Sequence, residues 1–283
     1  MLDIAAPRPL AGPRPAASGR AAVRVIRVRD RSVVSRAYAT SPLRLLTPRN
    51  HGHAAWIYTS SYGGGLVDGD RIALNVEVGP GAAAFISTQA STKVYRSPHG
   101  TSSELGARVG SDGLLVVLPD PVVCFAGSTY RQAQQFDLAR GASLVVLDWM
   151  SSGRRASGER WAFEEYAVRL SLRVEGRLLV HDALALRAGD GDLAARMGRF
   201  EVIGGAVLVG PAFRAVAEAV VSRIHAMPID RRADCLLAAT PLGDAGCILR
   251  IAGRSVEQAG RTIREFLGFV PAVLGDDPWA HKW

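Results

Sequence analysis

The stretch RIALNVEV, Arg71 to Val78, places Ile72, Leu74, Val76 and Val78 on one face and Arg71, Asn75 and Glu77 on the other. A period of two residues is what a half-buried strand requires and what a helix cannot use. Gly79-Pro80-Gly81 then ends the run. The pattern returns in AAVRVIRV, AAFISTQ, LLVVLPD, YRQAQQFDL and SLVVLDW, and in the long WAFEEYAVRLSLRVEG. In the last of these, Tyr166, Val168, Leu170, Leu172 and Val174 share a face, and Gly176 opens a hairpin into RLLVHDALAL. Thirty glycines and fifteen prolines in 283 residues suit many short elements better than a few long helices. Up to about residue 210 the chain therefore reads as mainly β. No fixed-length repeat declares a regular solenoid, so a sandwich, a barrel and an irregular β-helix all fit.

Helical spacing comes late. In FRAVAEAVVSRI, Phe213, Val216, Val220 and Ile224 fall on one stripe, and in SVEQAGRTIREFLGFV so do Val256, Ala259, Ile263 and Phe266. Ser255 and Gln258 have the spacing of a capping box. Two helices are thus expected near 212–225 and 255–268, with a strand pair, CLLAAT and GCILRIAG, between them. Residues 1–20, rich in Pro, Ala, Gly and Arg without a period, read as a disordered basic tail. Residues 21–283 read as a single β-rich domain.

The net charge of +8 is concentrated at the start: residues 1–60 hold ten Arg against Asp3 and Asp30, and the rest is balanced. A basic arm can steer toward an acidic partner, but no basic stripe or aromatic ladder marks a nucleic-acid surface. The N-terminus lacks the apolar core of a signal peptide, and no run approaches the roughly 20 apolar residues of a membrane span. A soluble, cytoplasmic protein is expected. Cys124, Cys235 and Cys247 are odd in number and never form CxxC, so they read as small buried hydrophobes.

The segment SSYGGGLVDGD, Ser60 to Asp70, carries the densest chemistry. Its glycines lead into a strand, not a helix, so they do not make a phosphate loop; a turn with positive φ or a close backbone approach is the plain reading. Asp68 and Asp70, two apart, either share a metal or cap backbone amides. His51 and His53 form an HxH that, on a strand, would present two imidazoles to nickel, copper or zinc. His181-Asp182 is either an oriented histidine or a solvent-facing pair, and His99, in a PHG turn, reads as a loop residue. Asp120 in LPDP and Glu159 in the GE pair are carboxylates that a β-helical glycosidase or lyase could use, although nothing selects a sugar. No nucleophile motif such as GxSxG occurs.

Taken in order, GGGLVDGD, GAAAFISTQASTKVYRS, LPDPVVCFAGSTYRQ and LDWMSSGRRASGERWAFEEYAVRL resemble the UreD family of urease accessory proteins, called UreH in some bacteria. The resemblance runs from about residue 22 to the C-terminus and implies an irregular β-helix-like stack of short strands with two C-terminal helices. It also implies a non-enzymatic chaperone that docks on apo-urease and recruits UreF and, through it, the GTPase UreG, with no tightly bound cofactor and Ni2+ in transit. A conduit must release its metal, so isolated carboxylates serve it better than a closed thiolate and imidazole cage. On the matching motifs, the resemblance points to Asp68, Asp70, Asp120 and Glu159 as the nickel path, and to Lys93, Tyr95 and Arg96 as partner surface. Other readings are a carbohydrate-active enzyme using Asp120 and Glu159, and a metal scaffold using His51 and His53. Trp161, Phe163 and Tyr166 are expected in the core.

Overall fold

A computed structural model describes residues 19–230 and 232–280. Among them, seventeen strands occur in the order β1 (Gly19–Val28), β2 (Arg31–Ala39), β3 (Leu43–Leu46), β4 (Ala55–Ser61), β5 (Arg71–Val78), β6 (Ala83–Thr88), β7 (Thr92–Val94), β8 (Thr101–Val109), β9 (Leu114–Val117), β10 (Val122–Cys124), β11 (Thr129–Leu138), β12 (Ser143–Ser151), β13 (Glu165–Val174), β14 (Arg177–Arg187), β15 (Val202–Val209), β16 (Cys235–Pro241) and β17 (Gly246–Gly253). Four helices join them: α1 (Leu193–Met197), α2 (Arg214–Ala226), α3 (Val256–Phe266) and α4 (Val270–Leu274). The expected tail over residues 1–20 lies outside the described residues except for Gly19 and Arg20, which open β1.

The strands form two sheets, one in the order β14-β13-β11-β8-β5-β1-β2, the other β16-β17-β15-β12-β9-β6-β4-β3 with β10 and β7 attached beside β12. From β4 to β13 the chain passes back and forth between them, laying parallel strands side by side: β5, β8, β11 and β13 in one sheet, β4, β6, β9 and β12 in the other. This is the irregular β-helix-like stack. Antiparallel hairpins, β1 with β2 and β13 with β14, close the two ends of the first sheet.

Each sheet shows its surroundings in its residues. The helices cover the outer face of the second sheet, so its strands are buried on both sides and read as unbroken apolar runs such as Ala83–Ser87 and Leu144–Leu147. The first sheet has one face in water, and its strands alternate: in β5, Leu74, Val76 and Val78 are buried while Asn75 and Glu77 are exposed. Val23, Val76, Leu115, Phe136, Leu144 and Leu172 fill the space between the sheets. Phe85, Val145, Leu147, Phe213, Val220 and Ile263 fill the space between the second sheet and the helices. On the wet face, Arg24, Glu77, Arg108, Asp137 and Arg173 stand opposite one another across five neighbouring strands. Such exposed pairs contribute only about 0.2–1 kcal/mol each, so alternating charge here favours register more than stability.

Both long C-terminal helices lie where the spacing places them. The capping box is half made: Ser255 Oγ accepts from Gln258 N at 3.2 Å, but the Gln258 carboxamide donates to Asp234 Oδ2 at 2.9 Å instead of turning back to the Ser255 amide. Ser255→Ala is expected to cost about 1 kcal/mol, the usual value of an N-cap, measurable as a lower denaturation midpoint with unchanged slope. An unchanged midpoint would mean that water replaces the serine.

Candidate functional site

The four sequence blocks that carry the family resemblance meet at one place in the fold. Leu66, from the glycine-rich segment, forms a parallel bridge with Val94, and β10 lies between β7 and β12. Gly127 N donates to Ala162 O at 3.0 Å, and Trp161 N to Ser152 O at 2.7 Å, tying in the segment after β12. Leu66, Val94, Cys124, Met150, Phe163 and Tyr166 form the buried cluster beneath. Trp161, Phe163 and Tyr166 are core, as expected, with at most 4% of their surface exposed. The triple glycine makes the corner. Gly63 and Gly64 have φ of +78° and +71°, and a Cβ on Gly65 would stand 2.5 Å from Lys93 O and 2.7 Å from Tyr95 Cε2.

The candidate carboxylates take up separate tasks. Asp68 accepts from His99 N at 2.8 Å, and its Oδ2 lies 2.6 Å from His99 Nδ1; the His99 ring holds the carboxyl below its ordinary pKa. Asp70 Oδ2 instead accepts from Val67 N at 2.9 Å, capping its own turn. Asp120 exchanges hydrogen bonds with Thr88: its N–H donates to Oγ1 at 2.8 Å, and the hydroxyl donates to Oδ2 at 3.2 Å. Glu159 is paired with Arg154, which holds its carboxyl low, and it also accepts from Ala126 N at 3.2 Å. Arg154 in turn lies 4.3 Å from the centre of the Phe125 ring, which Tyr95 meets edge-on at 5.2 Å. Lys93 and Arg96 are exposed beside these rings. Among the described residues, no group of three His, Cys, Asp or Glu side chains is placed to hold a metal ion.

The HxH pair is not on a strand. His51, Gly52 and His53 form a series of bends before β4, where a Cβ on Gly52 would stand 2.3 Å from Leu274 O, and His51 N donates to Asp276 Oδ2 at 2.9 Å. The segment seats the C-terminal helices, which explains its close glycine contact. His181 lies within β14, its Nδ1 3.1 Å from Ser171 Oγ, while Asp182 serves a different site.

That site is a cavity of about 500 Å³ between the two sheets, lined by Asp148, Tyr166, Val168, Asp182, Gly205 and Arg250 among others. Asp148 is on the inner face of β12, with Leu144 and Val146. Gln132 and Gln134, on the facing side of β11, both donate through Nε2 to Asp148 Oδ2, at 3.1 and 3.2 Å. Tyr130 OH donates to Gln132 Oε1 at 2.7 Å, and the Oε1 of buried Gln134 has no hydrogen-bond partner. Burial pushes the Asp148 carboxyl up to about 6; Gln132 opposes this, Asp182 adds to it, and Arg250 opposes it. Along the inner face of the second sheet, Asp148 is in register with Gly205, and Gly205 with Arg250. The Arg250 guanidinium holds Asp182 by two hydrogen bonds of 2.8 and 2.7 Å. The cavity thus has one carboxylate supported by neutral amides on its wall and, toward solvent, a second carboxylate held by a half-exposed arginine. Such oxygen donors can take a cation and let it go, whereas a thiolate cage would keep it.

A family model described as "UreD urease accessory protein" matches residues 17–281. The urease accessory protein UreD of Sorangium cellulosum is 50% identical over 257 residues, which cover 91% of this chain and 82% of that protein. The corresponding protein of Anaeromyxobacter sp. is 47% identical over 279 residues, 98% of this chain and 93% of its own. Urease accessory protein D of Arabidopsis thaliana is 32% identical over 287 residues, covering 90% and 98%.

Proposed function

The chain belongs to the UreD family of urease accessory proteins, so its role is in urease maturation, and from that premise we propose that it docks on apo-urease, recruits UreF and UreG, and lets nickel pass through its own interior. The family is one of maturation factors and not of enzymes, so the carbohydrate-active reading of Asp120 and Glu159 is dropped. The observation that carries the conduit is the intersheet cavity with Asp148 at its wall. An ionised carboxylate in an apolar layer is costly, and its hydrogen-bond partners here are neutral amides, while the nearby Arg250 is held by Asp182. That arrangement suits cargo that comes and goes.

Asp68, Asp70, Asp120 and Glu159 lie toward the surface layer formed by the four blocks and are proposed as the approach to this interior. Lys93, Tyr95 and Arg96 are proposed as part of a partner surface beside it. A cytoplasmic location fits this role; among the described residues no helix is long and apolar enough to cross a membrane.

The test is co-expression of urease structural subunits with UreF and UreG in nickel-containing medium, with and without this chain. Urease activity and nickel content are expected to depend on the chain, which should co-purify with the subunits. Full nickel loading without it, or no association, would sink the proposal.

A further inference from the structure

Arg250 lines the same cavity as Asp148 and carries the positive charge that acts on its carboxyl. Its side chain lies across Gly205: a Cβ there would be 3.3 Å from both Cδ and Nη1 of Arg250. Gly205 is also the residue in register with Asp148, so the absence of a side chain on β15 leaves the Arg250 side chain room on the face it shares with Asp148. Both Asp182 oxygens are engaged by Arg250, and Asp148 Oδ2 takes both glutamine donors. Gln134, 6% exposed, donates from its nitrogen to Asp148 and leaves its Oε1 without a donor. An orphan amide oxygen beside a buried carboxylate is a costly arrangement that a cation would satisfy.

We propose that Arg250 is the guard of this cavity: its guanidinium holds Asp182 and keeps a positive charge near Asp148, so that a divalent cation binds at Asp148 and Gln134 only in competition with it. The proposal rests on the conduit reading and adds its control. A guard of this kind keeps the free protein from binding stray metal, and releases the site when a docked partner or an incoming ion draws Arg250 aside. The two members of the pair then have opposite roles. Removing the arginine removes repulsion, whereas removing Asp182 leaves the arginine with Asp148 as the other carboxylate that acts on it.

The test is calorimetric titration of untagged full-length protein with Ni2+ alone, comparing wild type, Arg250→Gln, Asp182→Asn and Asp148→Asn, together with the Arg250→Gln and Asp148→Asn double variant. Arg250→Gln is expected to bind Ni2+ about tenfold more tightly than wild type, the order expected from removing one charge at short range. Asp182→Asn should bind more weakly, and adding Asp148→Asn to Arg250→Gln should cancel the gain. An ion pair with only a structural role would lower the melting temperature in both Arg250→Gln and Asp182→Asn and leave Ni2+ affinity alone; that result overturns the proposal, as does a gain that survives Asp148→Asn. Urease activation separates the two levels. If Asp148→Asn, folded and bound to urease, still activates it fully, the conduit itself fails; if activation is lost but Arg250→Gln binds Ni2+ like wild type, only the guard fails.

Discussion

Gly246→Ala is expected to lower the thermal unfolding midpoint by roughly 10 °C, or to leave little soluble protein, because the lost stability should reach about 4 kcal/mol or more. Gly246 opens β17 with φ of +149°, a region L-residues rarely adopt, and a Cβ there would stand 1.8 Å from Leu208 O and 2.8 Å from its carbonyl carbon. Both contacts are with backbone, which cannot rotate away, so the β15–β17 pairing must open to admit one methyl group. The effect reaches the proposed conduit because β17 carries Arg250 and stands beside the cavity. Circular dichroism on purified protein measures the midpoint. A shift within about 2 °C, corresponding to less than roughly 1 kcal/mol, would show that the strand start adapts.

The sheets were legible because their burial differs. Alternation in RIALNVEV and in Tyr166–Val174 follows from one wet face, and the unbroken AAFIS and LVVL runs follow from helices covering the other sheet. The stacking itself was not visible in spacing: the parallel strands β5, β8, β11 and β13 begin at Arg71, Thr101, Thr129 and Glu165, and the segment Ser152–Glu164 lengthens the last step. Unequal connections erase the repeat without changing the architecture. The matching blocks supplied what the period could not.

The site was less legible, for a related reason. Asp68, Asp70, Asp120 and Glu159 were singled out because turns and prolines display them, and displayed carboxylates find local partners such as His99, Val67 N, Thr88 and Arg154. The HxH spacing misled about geometry, since two glycine-flanked imidazoles presume a strand and the chain bends there to receive the C-terminal helices. The residue that faces the interior was in plain view in SLVVLDW: alternation puts Asp148 on the face of Leu144 and Val146. In YRQAQQFDL, Gln132 and Gln134 likewise share a face with Phe136 and Leu138. An acid and two amides on core faces of facing strands are the available signal. Only the pairing of the sheets makes them neighbours, and only Gly205 shows how the side chain of Arg250, a hundred residues on, finds room on the same face.

Asp148→Asn is expected to make the protein more stable at pH 7.5 and useless for nickel delivery. In the unfolded chain an aspartate ionises near pH 4, in the folded protein this one near 6. Between those values the folded state holds the extra proton, so stability falls as pH rises through the window, and the full penalty is present above pH 6. Two pH units correspond to about 3 kcal/mol, an upper bound for what the neutral variant regains. Asparagine keeps the local geometry: its one carbonyl oxygen can accept from both Gln132 and Gln134, as Oδ2 does now, and its amide has an orphan acceptor close by in Gln134 Oε1. Thermal melts should therefore show the variant roughly 5 °C above wild type at pH 7.5, with the difference closing below pH 4. A gain of this size would mean that the charge is kept at a cost to folding, the pattern expected of a functional group. A variant that melts lower than wild type at pH 7.5 would make Asp148 a structural group, and one that melts higher yet loads urease normally would overturn the proposed conduit.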